Sequence, residues 1–155
     1  MQNQNQDKNK FTGNILLLED NEEDIIITQR TFKNIDNFDG NLFFVKDAHE
    51  ALDFLNNSND FKNKENYPKP DLILIDINLP KMKGSAFLQK IKSDNILKYI
   101  PCIILSSSNN EQDVKEAYSA GAAGYIMKPI SFSKFKEIMQ IFIDYWSINE
   151  SYEQR

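Results

Sequence analysis

Five short apolar runs, beginning near residues 15, 42, 72, 102 and 124, constrain this chain more than any other feature. The first, Ile15-Leu16-Leu17-Leu18, is closed by Glu19, Asp20 and Asn21. A run this short between polar residues fits a strand buried on both faces, because a helix needs a longer periodic stretch. The later runs at 42–45, 72–75, 102–105 and 124–127 repeat the pattern. Between them the apolar residues change to helical spacing, as in Ala48, Ala51, Leu52 and Leu55 at i, i+3, i+4, i+7. Intervals of roughly 30 residues, each holding one helix, are the length of a βαβ crossover. The prediction is an α/β chain, a doubly wound parallel sheet with helices on both faces.

Local signals agree with this layout. Asp20 or Asn21 caps the first helix, and Glu22, Glu23 and Asp24 fill its first turn, where the helix dipole favours negative charge. Ile25, Thr28, Phe32 and Ile35 form its inner stripe. Phe87, Leu88 and Ile91 start the third helix, and Val114, Ala117 and Tyr118 mark the fourth. The last carries Phe135, Ile138, Met139, Phe142 and Trp146. Phe132, Ile143, Tyr145 and Tyr152 do not all fit that stripe and predict a second apolar face. Residues 56–70, NNSNDFKNKENYPKP, form a polar connection longer than most loops.

Composition narrows the function. A chain of 155 residues has room for one ordinary domain, so a second folded module such as a DNA-binding output domain is not expected. Residues 1–12 are almost entirely polar and cannot offset their own ordering entropy. The net charge of −5 opposes binding to a phosphate backbone, which needs clustered Lys and Arg. No apolar run approaches the ~18 residues of a membrane span, and the start MQNQNQDKNK lacks the apolar core of a signal peptide. The lone Cys102 permits no internal disulfide, in keeping with a reducing cytoplasm.

In a parallel sheet of this kind, ligands bind beyond the carboxyl ends of the strands, where the strand order reverses. Glu19 and Asp20 end strand one, Asp76 strand three, Ser106 strand four and Lys128 strand five. Three carboxylates gathered in one crevice repel each other, which would raise a pKa or recruit a cation. Hard oxygen donors with positions left open to water suit Mg²⁺. A carboxylate beside such a cation and a lysine can attack a phosphoryl group, while a hydroxyl donates a hydrogen bond to it.

Four segments in register, LLLED (16–20), LILIDINLPKMKG (72–84), CIILSSS (102–108) and AGAAGYIMKP (120–129), resemble the receiver domain of two-component response regulators. The resemblance spans residues 14–147 and implies a flavodoxin-like (βα)₅ fold with strand order 2-1-3-4-5. It implies that Asp76 accepts a phosphoryl group from a sensor histidine kinase or a histidine phosphotransfer protein. Asp20, Asp76 and the Asn78 carbonyl would hold Mg²⁺, with Glu19 acting through bound water. Lys128 would pair with the phosphoryl group, the Lys128–Pro129 peptide would be cis, and Ser106 and Tyr125 would rearrange on phosphorylation. Glu19-Asp20 replaces the commoner Asp-Asp, and Ser106 stands where Thr is equally familiar.

The polar insertion and aromatic last helix further resemble stand-alone receivers that partner bacterial phytochromes. On this reading residues 1–12 are a disordered tail, 13–149 the receiver and 150–155 a short C-terminal tail. The protein would be a cytoplasmic phosphorelay component that catalyses only its own phosphorylation and dephosphorylation, not an enzyme with a separate substrate. The side formed by strand 4, helix 4, strand 5 and helix 5 would be the output surface and a homodimer contact, with Ile143 and Tyr145 at its centre.

Rival readings make distinct demands. A flavodoxin-type electron carrier needs a phosphate loop after strand one, where Glu19-Asp20-Asn21-Glu22-Glu23 would repel phosphate. A haloacid-dehalogenase-type phosphatase, the other aspartate-nucleophile class, normally has a second acid where this chain has Asn78. A pseudo-receiver that binds partners without phosphorylation keeps the fold but loses site residues, and all five are present here. His49, Cys102, Lys81 and Lys83 read as surface, core and solvated loop residues without a role in the chemistry.

Overall fold

A computed structural model describes residues 9–150. Five strands, β1 (Asn14–Leu18), β2 (Asn41–Val45), β3 (Leu72–Ile75), β4 (Cys102–Ser106) and β5 (Gly124–Met127), alternate with five helices. The helices are α1 (Glu22–Asn34), α2 (Ala48–Asn56), α3 (Gly84–Ser93), α4 (Glu111–Ser119) and α5 (Phe132–Trp146). All strand pairs are parallel, in the order β2-β1-β3-β4-β5. This is the flavodoxin-like topology expected from the sequence.

Alternation along each buried strand builds two cores. Leu16, Leu18, Ile73, Ile75, Cys102 and Ile104 pack with α2, α3 and α4. Ile15, Leu17, Leu72, Leu74, Ile103 and Leu105 point the other way, onto α1 and α5. Every residue of β3 and β4 is buried, whereas the edge strands β2 and β5 are only partly covered. Side-chain caps fix four helix starts beyond the strand ends: Asn21 accepts from the Asp24 amide, Asp47 from Glu50, Asn110 from Gln112 and Ser131 from Lys134.

Several expectations need correction. Phe11, assigned to a tail, is buried, bridges Phe38 in parallel and stacks on its ring, which Phe32 in turn meets edge-on. One aromatic side chain therefore draws the ordered body back from residue 13 to at least residue 11; residues 1–8 and 151–155, with Tyr152, lie outside the described residues. In α2 the buried residues are Ala48, Ala51, Phe54 and Leu55, so Phe54 takes the place expected for Leu52, which is half-buried. Phe54 anchors the 56–70 connection: Phe61 and Tyr67 pack on its ring at 5.3 and 5.6 Å between centroids. Left-handed Asn57 closes the loop by donating to the carbonyls of Phe61 and Tyr67. Tyr118 is exposed on α4. Ile143, expected on the outer face of α5, is fully buried beside Met139 and Phe142.

Candidate metal and phosphoacceptor site

The sheet ladder continues past the strand ends and carries the site. Glu19 N–H donates to the Val45 carbonyl (3.0 Å), Asp76 N–H to Leu18 (3.0 Å) and Lys128 N–H to Ser106 (2.9 Å). The first residues after β1, β3 and β5 are thereby fixed to neighbouring strands before any side chain interacts. Asp76 follows β3, which lies beside β1, so Glu19, Asp20 and Asp76 meet at the switch in strand order.

One oxygen from each of Glu19, Asp20 and Asp76 lies within 4.8 Å of the others. Glu19 is buried, Asp76 half-buried and Asp20 exposed. Hard anionic donors that converge from inside while one side stays open fit a cation that keeps part of its water shell, as Mg²⁺ does. Asn78 is exposed on the same connection, and its amide donates to Asp76 Oδ1 at 3.0 Å.

Lys128 crosses from β5 to the carboxylates. Its Nζ bonds Glu19 directly and lies 3.2 Å from Asp24 and 3.3 Å from Asp76 Oδ2. Burial pushes the Glu19 carboxyl up to about 7; the Asp76 charge adds to the rise and Lys128 opposes it. Burial alone would lower the Lys128 ammonium, but its bond to Glu19 and the charges of Asp76, Glu19 and Asp24 raise it instead. The lysine is thus held protonated, facing the Asp76 carboxylate.

The Lys128–Pro129 peptide is trans, contrary to expectation, since the described residues contain no cis peptide. Trans is the cheaper X–Pro isomer by about 0.5–1 kcal/mol, and Lys128 reaches all three carboxylates in that state.

The connection after β3 is shaped by backbone constraints. Ile77 and Leu79 turn into the core, Lys81 adopts φ 67°, and Gly84 N–H donates to the Ile77 carbonyl at 3.1 Å. A Cβ on Gly84 would stand 2.9 Å from the Asp76 carbonyl and 3.0 Å from Ile77 Cα. Lys81, expected to be merely solvated, reaches Asp47 at 3.5 Å.

Ser106 is fully buried at the end of β4, and its hydroxyl accepts the Ser108 amide at 3.2 Å. Tyr125 is half-buried and donates its hydroxyl to the Ser108 carbonyl at 2.7 Å. The structure thus gathers Glu19, Asp20, Asp76 and Lys128 into one cluster, with Ser106 on the adjoining strand. Asp24 is the residue that sequence reasoning missed: it was read only as an acid suited to a helix start. Its place four residues after Asp20, one turn from the strand end, was the available signal.

Residues 15–140 match the model of the response regulator receiver domain. The chain belongs to the response regulator receiver family. The response regulator Rcp1 of Synechocystis sp. is 34% identical over 132 residues, covering 85% of this chain and 87% of Rcp1. The crystal structure of the phosphorylated cyanobacterial phytochrome response regulator RcpA superposes with a TM-score of 0.79 at 35% identity, over 88% of this receiver and 94% of that chain. The Mn²⁺-bound form of Rcp1 gives a TM-score of 0.79 at 32% identity, over 92% of this receiver and 99% of that chain. The phytochrome-type resemblance read from the sequence therefore holds at the level of relatives.

Proposed function

We propose that this receiver is a Mg²⁺-dependent phosphoacceptor of a two-component phosphorelay, with Asp76 as the acceptor. The observation that carries the reading is the placement of Asp76 between a protonated lysine at 3.3 Å and two further carboxylates within metal-binding reach. Among the relatives, RcpA is described in a phosphorylated form and Rcp1 in a Mn²⁺-bound form.

Asp20 and Asp76 would hold the ion, with the Asn78 carbonyl beside them and Glu19 behind. Bound there, Mg²⁺ supplies positive charge to the phosphoryl oxygens. The chain's own groups do the rest. An Asp76 oxygen attacks the phosphorus of a phosphohistidine or an acyl phosphate. The P–N or P–O bond breaks, and its electron pair leaves with the imidazole or carboxylate of the donor. Lys128 moves its ammonium from Asp76 to the transferred oxygens, and the Ser106 hydroxyl turns to donate to them. Water later attacks the same phosphorus and restores the carboxylate.

The donor class is a sensor histidine kinase or histidine phosphotransfer protein, and the setting is the cytoplasm. Among the described residues no helix is long and apolar enough to cross a membrane. Near end-to-end matching of Rcp1 supports action as a stand-alone receiver. Its signal would then leave through its own surface, with the α4–β5–α5 side as a homodimer contact.

The test is labelling by acetyl phosphate with and without Mg²⁺. Label is expected on the wild type, and absent from Asp76→Asn and in excess EDTA. Label that persists in either condition overturns the assignment of Asp76 or of the metal. A wild type that takes no label with Mg²⁺ would instead be a phosphorylation-independent binding module.

A further inference from the structure

We propose that Asp113, in the first turn of α4, is a positioning residue for phosphorylation: it latches the β4–α4 connection in its resting arrangement and so limits how readily Ser106 reaches a phosphoryl group on Asp76. The proposal rests on the reading of Asp76 as the phosphoacceptor.

Ser108 is the knot of this connection. Its amide donates to Ser106 Oγ at 3.2 Å, and its carbonyl accepts the Tyr125 hydroxyl at 2.7 Å. Its hydroxyl donates to Asp113 Oδ2 at 2.6 Å and accepts the Asn110 amide at 3.3 Å. One half-buried serine thus ties together the end of β4, the middle of β5 and the start of α4.

Three of these bonds are between neutral groups. The Ser108–Asp113 bond is charge-assisted, the shortest of the four, and therefore the strongest hold on the loop. Asp113 is itself a firm post, because α4 is anchored through buried Ala117 and capped by Asn110.

Ser106 cannot turn toward Asp76 without consequence for Ser108. When Ser106 Oγ leaves, the Ser108 amide loses its acceptor, and an unpaired, half-buried amide is costly. The loop is relieved by following Ser106, which draws Ser108 away from α4 and breaks its bond to Asp113. An interaction made in only one of two states biases the equilibrium by its full differential worth. Asp113 therefore stabilises the resting state, and weakening it favours the occupied one.

Beryllofluoride with Mg²⁺ serves as the phosphoryl-like probe, titrated by ¹⁹F NMR. Asp113→Asn and Ser108→Ala should each tighten its binding by about five-fold, the scale of one hydrogen bond. The double variant should gain no more than the stronger single variant, since both act on the Ser108–Asp113 bond, Asp113→Asn by removing its charge and Ser108→Ala by removing the hydroxyl, which also accepts the Asn110 amide. Glu111→Gln removes a charge from the same helix turn without touching Ser108 and should leave affinity unchanged. Unchanged or weaker binding by Asp113→Asn, equal tightening by Glu111→Gln, or additive gains in the double variant would each overturn the latch.

If the wild type does not bind beryllofluoride at all, the phosphoacceptor reading fails separately. The latch is then read in the metal-free protein, from amide exchange at Ser108 and Asn110. Exchange about five-fold faster in Asp113→Asn supports it, and unchanged exchange overturns it.

Discussion

The Asp24 carboxylate lies 3.2 Å from the Lys128 ammonium, so the first turn of α1 shares the cation that faces Asp76. The three carboxylates on this lysine are unequal partners. The Glu19 side chain is 2% exposed and that of Asp76 13%, whereas Asp24 is 41% exposed and correspondingly screened by water. Glu19 fixes where the lysine sits, and Asp24 holds it from the solvent side.

Removing Asp24 should speed phosphorylation. It competes with an incoming phosphoryl group for Lys128, and its charge repels an anionic donor, so both effects have the same sign. Asp24→Ala is expected to raise the rate of labelling by acetyl phosphate about two- to five-fold, since an exposed pair contributes at most ~1 kcal/mol. A labelling time course that is slower in the variant would show that Asp24 assists Lys128 instead of restraining it.

Glu19 predicts a pH dependence. Its carboxyl is raised from 4.5 to about 7, so the metal-free folded state holds its proton more tightly than the unfolded chain. The stability this contributes is complete below about 4.5 and is lost as pH rises through about 7. The sign is opposite for metal, because an ionised Glu19 strengthens the acidic cluster and Mg²⁺ binding should improve across the same window. Thermal melts of metal-free wild type and Glu19→Gln between about pH 5 and 8 test the first statement. The wild type should lose stability relative to the variant as pH rises, and parallel curves would remove Glu19 as the source.

Gly84 ties the backbone geometry to the site. Its missing Cβ leaves room for the Asp76 carbonyl at 2.9 Å and Ile77 Cα at 3.0 Å, both backbone atoms with no rotamer to escape into. Gly84→Ala should therefore cost about 1–3 kcal/mol, the usual scale of overpacking. It should also slow the labelling proposed for Asp76 by displacing the connection that follows β3. Urea denaturation and the labelling time course measure the two effects. A variant with wild-type values in both would show that α3 can shift to make room.

The fold and the site cluster were legible because both depend on strand ends. Apolar runs locate β1, β3 and β4, and the residue that follows each run is fixed at one edge whatever the loops do. Packing between distant segments left no periodic trace. Phe11 is a single aromatic in a polar stretch, and its partners, Phe38 and the backbone of Asn37 and Asp39, lie far along the chain. Phe61 and Tyr67 lie in a polar connection that Phe54 organises from α2. Asp24 and Asp113 are both ordinary acids of a helix first turn by sequence, and their partners Lys128 and Ser108 appear only once the helices are docked.

The last prediction concerns self-association through α5. Its inner stripe is Phe135, Met139, Phe142 and Ile143, so Ile143 is a core residue and not an interface residue. On one flank Gln140 donates to the Asp36 carbonyl and Asp144 accepts from Asn37, which turns that side onto the connection between α1 and β2. Helical geometry places Ile141 and Tyr145 on the opposite flank, toward the β5 edge of the sheet. They are 64% and 56% exposed, and Met127 and Tyr118 are exposed on β5 and α4 of the same side. Four exposed apolar side chains on α4, β5 and α5, outside either core, would make a patch of the kind that pairs across a two-fold axis. Phosphorylation would alter this patch through the Tyr125–Ser108 link, which joins β5 to the start of α4. Light scattering with and without beryllofluoride and Mg²⁺ should show a dimer favoured by the probe. Tyr145→Glu should return it to monomer while the probe-free protein stays folded, as read by circular dichroism. Ile143→Ala should instead lower stability by about 2–5 kcal/mol, as expected for a buried isoleucine. Monomers under every condition would end the proposal of self-association, and a dimer untouched by Tyr145→Glu would move the contact off α5.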